Sequence, residues 1–65
     1  MITLNGNTVS DSEGITLEEL IRRQNFIKSR IAIEINGRII SKKEYETTQV
    51  QDGDVIEVVS FVGGG

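Results

Sequence analysis

The residues best placed to do chemistry are the last three. Gly63, Gly64 and Gly65 follow Phe61-Val62 and leave the terminal carboxylate on a stretch that has no side chains. Glycine makes up about 7% of average sequence, so three in a row at one chosen place arise by chance about once in several thousand chains. A bare glycine segment passes through a narrow channel and takes up backbone angles closed to other residues. It can carry a carboxylate into another protein's active site. The plainer alternative is a frayed end or a leftover linker, since chain ends are commonly disordered.

Nothing else in the chain assembles into a catalytic set. With no Cys there is no thiolate or persulfide, and with no His any zinc would need carboxylates alone. Asp52 and Asp54 flank Gly53, where they serve a turn better than a metal, because Asp side chains bond their own turn backbone. Lys42-Lys43 reads as a solvated face, and Tyr45 as a core or rim aromatic whose hydroxyl reaches water. No nucleophile, base and orienting group come together, so an independent enzyme is the least favoured class.

Composition narrows the field further. Sixty-five residues make one domain near the lower limit for folding without disulfides or metals, resting on a small aliphatic core. The net charge of −3 argues against nucleic acid, which calls for clustered Lys and Arg. No apolar run approaches the ~20 residues that cross a bilayer, and Met1 to Asn7 lacks the features of a signal peptide. A cytoplasmic location is the default expectation.

The elements that must position the tail are legible from turn and cap signals. Asn5-Gly6 and Asn36-Gly37 supply the positive φ angles of tight hairpins, joining Met1–Leu4 to Asn7–Ser10 and Ile31–Ile35 to Arg38–Ile40. Thr16 with Glu19 forms a capping box, and Ile15 and Leu20 sit where a hydrophobic staple places them. Glu18–Arg22 and Glu19–Arg23 are spaced as i,i+4 pairs, and Leu17, Leu20 and Ile21 form the buried stripe. The helix ends near Gln24-Asn25, since Asn tolerates the left-handed conformation. A second capping box at Ser41–Glu44 predicts a short helical turn around Lys42–Tyr45. Asp52-Gly53-Asp54 turns the chain into a last strand, Val55–Val62.

The order β-β-α-β-β-(short helix)-β in so short a chain predicts an α+β fold, a mixed sheet packed on one α-helix. Residues 1–62 form the domain and 63–65 a flexible glycine tail. In the last strand Ile56, Val58, Ser60 and Val62 share one face, and Val55, Glu57, Val59 and Phe61 the other. Glu57 marks its face as the solvent side, because an unpaired carboxylate is rarely buried. Val59 and Phe61 then stand in water at the root of the tail. They are either ordinary scattered surface residues or a docking patch.

The chain resembles the ubiquitin-like β-grasp proteins and, more narrowly, the sulfur-carrier family of thiamine biosynthesis, ThiS. The resemblance runs from Ile2-Thr3-Leu4-Asn5-Gly6 through Ile31–Gly37 to Val50-Gln51-Asp52-Gly53-Asp54-Val55-Ile56-Glu57 and the glycines. A third glycine departs from the family's terminal Gly-Gly. The resemblance implies a carrier rather than an enzyme, with no cofactor of its own. A ThiF-type adenylyltransferase would use ATP and Mg to adenylate the Gly65 carboxylate. A sulfur donor enzyme would supply the sulfur of a thiocarboxylate, which the thiazole synthase ThiG would accept. Gly63 and Gly64 would thread the channel, with Val59, Phe61 and Val62 in contact with the partner. Two other functions fit the same fold: a MoaD-like small subunit of molybdopterin synthase, and a non-covalent ubiquitin-like binding module.

Overall fold

The computed structural model describes residues 1–61. Residues 62–65 lie outside the described residues, and with them Val62, Gly63, Gly64, Gly65 and the boundary expected between domain and tail.

Two hairpins and a closing strand build the sheet. The strands are β1 (Ile2–Leu4), β2 (Asn7–Val9), β3 (Ile31–Ile35), β4 (Arg38–Ile40) and β5 (Val55–Ser60), with the helix α1 (Leu17–Arg23) between β2 and β3. They lie side by side in the order β2-β1-β5-β3-β4. The last strand in sequence is therefore the central one in space. It runs parallel to β1, with Leu4 beside Ile56, and antiparallel to β3, with Ile33 beside Val58. This is the mixed sheet with one helix that the sequence predicts.

Both hairpins turn on the expected Asn-Gly pairs. Asn5 (φ 50°) and Gly6 (φ 82°), like Asn36 (φ 50°) and Gly37 (φ 84°), occupy the left-handed region a two-residue hairpin requires. No neighbour would crowd a Cβ at either glycine, so backbone angle rather than space demands glycine there. The two asparagines have a second role. Asn5 Oδ1 accepts from the Val58 N–H at 2.8 Å and its Nδ2 donates to the Val58 carbonyl at 3.2 Å. Asn36 Oδ1 accepts from the Val55 N–H at 2.9 Å. Each amide continues the pairing with β5 where its own strand has ended, so β5 is held from both sides.

The helix begins and ends where expected, with two differences in its side chains. Thr16 Oγ1 accepts from the Glu19 N–H at 3.2 Å. The Glu19 carboxylate does not return to Thr16, as a full capping box would have it. It holds Arg22 at 2.6 Å and Arg23 at 3.0 Å instead, because two guanidinium groups within reach outbid one backbone N–H. The expected Glu18–Arg22 pair is likewise replaced: Glu18 meets the Lys28 ammonium at 2.8 Å. At the other end Asn25 has φ 62°, and Phe26 N–H bonds to the Ile21 carbonyl while Asn25 N–H bonds to Arg22. This is a Schellman closure with Asn in the position glycine usually fills. A 3₁₀ turn, Lys28–Arg30, leads into β3.

The core lies between α1 and one face of the sheet. Leu17, Leu20 and Ile21 pack with Ile2, Leu4, Ile31, Ile33, Ile40, Val50, Ile56 and Val58. Tyr45 joins them at 0% exposure, so its hydroxyl does not reach water as the sequence suggested. The segment after β4 wraps beneath the start of α1, where the Glu18 N–H bonds the Tyr45 carbonyl, and this carries the ring inside. Burial raises the phenol pKa, opposed by a hydrogen bond with the Ile33 backbone and by the Lys28 ammonium, 5.6 Å from the ring centre. The expected turn at Ser41–Glu44 forms as 3₁₀ Lys42–Glu44. Ser41 Oγ bonds the Glu44 carboxylate at 2.9 Å rather than capping a backbone N–H. Among the described residues no helix is long and apolar enough to cross a membrane.

Candidate docking site on the open face of the sheet

A single short helix covers one face of a five-stranded sheet and leaves the other open. Alternation along β5 then sorts its side chains. Ile56 and Val58 point into the core, whereas Val59 is 56% and Phe61 54% exposed, as the charged Glu57 between the apolar residues indicated. Assigned β5 ends at Ser60, short of the expected Val62, but the chain stays attached one residue further. The Phe61 N–H donates to the Arg30 carbonyl at 2.7 Å. The root of the glycine tail is thus anchored to the sheet beside β3.

Val59 and Phe61 line different hollows. Val59 lies across from Ala32 and shares a shallow cavity of about 80 Å³ with Glu34, Ile39 and Glu57. Ile39, on β4 beside Glu34, is the most exposed large apolar residue among the described residues at 76%. Phe61 rims a larger cavity of about 330 Å³ with Asn25, Phe26, Ile27 and Arg30. Ile39, Ile27 and Arg30 were not singled out from sequence. A signal for Ile39 existed, because the two-residue Asn36-Gly37 turn fixes the register that sets it opposite Glu34. Ile27 and Arg30 sit in a connection without periodicity, where no such signal exists. Of the expected site residues, Val62 and Gly63 to Gly65 lie outside the described residues.

Several charged groups elsewhere have structural partners. Asp54 Oδ2 accepts from the Gln51 N–H at 2.8 Å, and Asp52 meets the Met1 amino group, which also meets Glu13. Those contacts lower the Asp52 and Glu13 carboxyl pKa values and raise that of the Met1 amine. The Asp52-Gly53-Asp54 segment is a turn, as its residue types suggested. Among the described residues no group of three or more His, Cys, Asp or Glu could hold a metal. What the site offers is surface: apolar side chains, two carboxylates and a tail root.

Known proteins share this sequence pattern and fold. The model of the ThiS family matches residues 2–65. The sulfur carrier protein ThiS of Bacillus subtilis is 36% identical over 66 aligned positions, covering 100% of both chains. A thiazole synthase of Magnetococcus marinus is 39% identical over 64 residues, which are 98% of this chain but only 20% of that protein. The crystal structure of the thiamine biosynthesis protein ThiS from Geobacter metallireducens superposes with a TM-score of 0.79 at 31% identity, covering 98% of this chain and 97% of that one. The ubiquitin-like fold, the family match along nearly the whole chain and a relative aligned from end to end agree: the chain belongs to the ThiS family.

Proposed function

We propose that this chain, a ThiS-family sulfur carrier of thiamine biosynthesis, is loaded at the carboxylate of Gly65. A free carboxylate is a poor electrophile, being anionic with oxide as its leaving group. In the reaction proposed, a carboxylate oxygen attacks the α-phosphorus of ATP on a ThiF-type partner and pyrophosphate leaves. Hydrosulfide released by a donor enzyme then attacks the acyl carbon and displaces AMP, leaving a thiocarboxylate that passes its sulfur to a thiazole synthase. Donors and Mg on the partner stabilise the developing charge, so the carrier acts as a co-substrate and not as a catalyst. A cytoplasmic setting belongs to the same reading.

The observation that carries this reading is the exposure of Val59 and Phe61 where β5 gives way to the glycines. Residues docked there hold the domain at a channel mouth while the tail enters. Three extended glycines span about 10 Å at 3.3–3.6 Å per residue, enough to cross a channel wall. The thiazole synthase relatives favour the thiazole branch over the molybdopterin one.

The test is intact mass. Incubation with ATP, Mg, the cognate activating enzyme and a sulfur donor is expected to exchange one oxygen for sulfur at the terminus. An unchanged mass, under conditions that convert a known carrier, overturns the reading. Deleting Gly64 and Gly65 is expected to abolish loading with the fold intact. A non-covalent binding module would keep its partner after the same deletion.

A further inference from the structure

Glu34 and Glu57 are direct cross-strand partners in the antiparallel β3–β5 pair, at the centre of the open face. Side chains so placed have Cβ atoms about 4.5–5.5 Å apart, and like charges there destabilise a sheet. Four carboxylates of the domain have cations: Glu18 has Lys28, Glu19 has Arg22 and Arg23, and Asp52 and Glu13 have the Met1 amine. Asp11, Glu44, Glu46 and Asp54 have none among the described residues but stand opposite no second carboxylate in the sheet. Among the described residues neither Glu34 nor Glu57 has an ion pair. The registers of all four strand pairs place no Lys or Arg on this face. Arg38 lies opposite Ile35 and therefore belongs to the other face.

The surroundings of the pair are apolar. Ile39 stands beside Glu34 across the β3–β4 pair, Val59 follows Glu57 along β5, and all four line one shallow cavity. Two carboxylates with aliphatic shoulders fit a cationic head on an apolar stem. A guanidinium group matches best, since its planar fork reaches two carboxylates while its methylenes lie along Ile39 and Val59. Nucleic acid is disfavoured by the like charge of the face.

We infer that the Glu34–Glu57 pair, with Ile39 and Val59, receives an arginine side chain of the thiazole synthase that takes sulfur from the tail. This rests on the docking proposed above for Val59 and deepens it. The charge complement supplies the chemistry. The identity of the partner follows from relatives in which a ThiS-like segment and thiazole synthase share one polypeptide. The unfavourable pairing in the free domain is relieved in the complex, so the same two residues weaken the fold and strengthen the interface.

The experiment compares the full chain with Glu34→Gln, Glu57→Gln and the double variant. Dissociation constants for purified thiazole synthase are measured at low and high salt, beside thermal unfolding of the free carrier. The double variant is expected to unfold at the same or a higher temperature, to bind about tenfold or more weakly at low salt, and to lose most of the salt dependence of wild type. Binding within about twofold of wild type with the same salt slope overturns the inference. So does weakened binding to the activating enzyme alone, or a change only in self-association by light scattering, which would make a second copy the occupant. The loading assay separates the two readings. If wild type gains sulfur yet the variants bind normally, this inference alone falls. If wild type gains none, the carrier reading falls first.

Discussion

The two faces of β5 carry nearly the same kinds of side chain and put them to different uses. On the helix side Ile56 and Val58 are buried against α1, and Ile56 is among the largest side chains fully removed from water. On the open side Val59 and Phe61 remain largely in solvent, on the same face as Glu57, which lies opposite Glu34. Hydrophobicity alone therefore does not say what a residue is for. One helix can lie on only one side of the sheet, and that asymmetry decides which apolar residues stabilise the fold. Those on the other face should cost little to change in the free domain, and the docking proposed for them predicts an effect on the complex instead.

The largest effect that could break this division is Ile56→Ala. Burial and the cavity left behind should cost about 2–5 kcal/mol. For a chain of 65 residues that is much of a total stability on the order of 3–10 kcal/mol. Urea unfolding at 25 °C measures it, and a loss below about 1 kcal/mol would show that β5 is not the core strand its central position makes it. The counterpart is Phe61→Ala. Stability should stay within about 0.5 kcal/mol of wild type. Binding to the activating partner should weaken by about 2 kcal/mol if Phe61 anchors it. A binding loss under about 0.5 kcal/mol would remove Phe61 from the interface and leave the larger hollow beside Ile27 without a role.

How much of this could be read beforehand depends on how local the cause is. The Asn-Gly turns, the Thr16 cap, the Asn25 closure and the alternation of β5 are set by neighbours within a few positions, and all appear as expected. The amide bonds of Asn5 and Asn36 to β5 were not legible. They exist only because the last strand inserts between the first and the third, bringing residues far apart in sequence together. The same holds for Tyr45, drawn inside by the wrap of the segment after β4, and for Lys28, which reaches Glu18 across the turn that Asn25 makes. The open face was visible through Val59 and Phe61. Its acidic centre needed the β3–β5 register, and Arg30 needed the folded connection into β3, whereas Ile39 was already implied by the register of the Asn36-Gly37 hairpin.

A smaller effect tests the covered side through the helix itself. Thr16→Ala leaves the Glu19 N–H without its acceptor and should cost about 1 kcal/mol by urea unfolding. Partner binding should be unchanged, because α1 lies on the far side of the sheet from Val59 and Glu57. A binding defect in this variant, at a temperature where it is fully folded, would mean that the two faces are not separable.

The smallest effect contrasts the carboxylates of the two faces. On α1 the Glu19 carboxyl pKa is lowered from 4.5, chiefly by the hydrogen bonds of Arg22 and then of Arg23. A carboxyl lowered in the folded state adds stability above its unfolded pKa, and this is lost as pH falls through the folded value. Wild type should therefore melt slightly above Glu19→Gln at pH 7, with the gap closing as pH drops below about 4.5 and narrowing in high salt. Glu19 lies at the surface, so the shift should be small. Glu34→Gln and Glu57→Gln should melt no lower than wild type at pH 7, since each alone removes the repulsion between the two carboxylates and no attraction. Thermal unfolding of the three variants from pH 7 to the acid limb checks both signs together. A Glu57→Gln variant that melts clearly below wild type at pH 7 would mean that its carboxylate already has a favourable partner within the free domain.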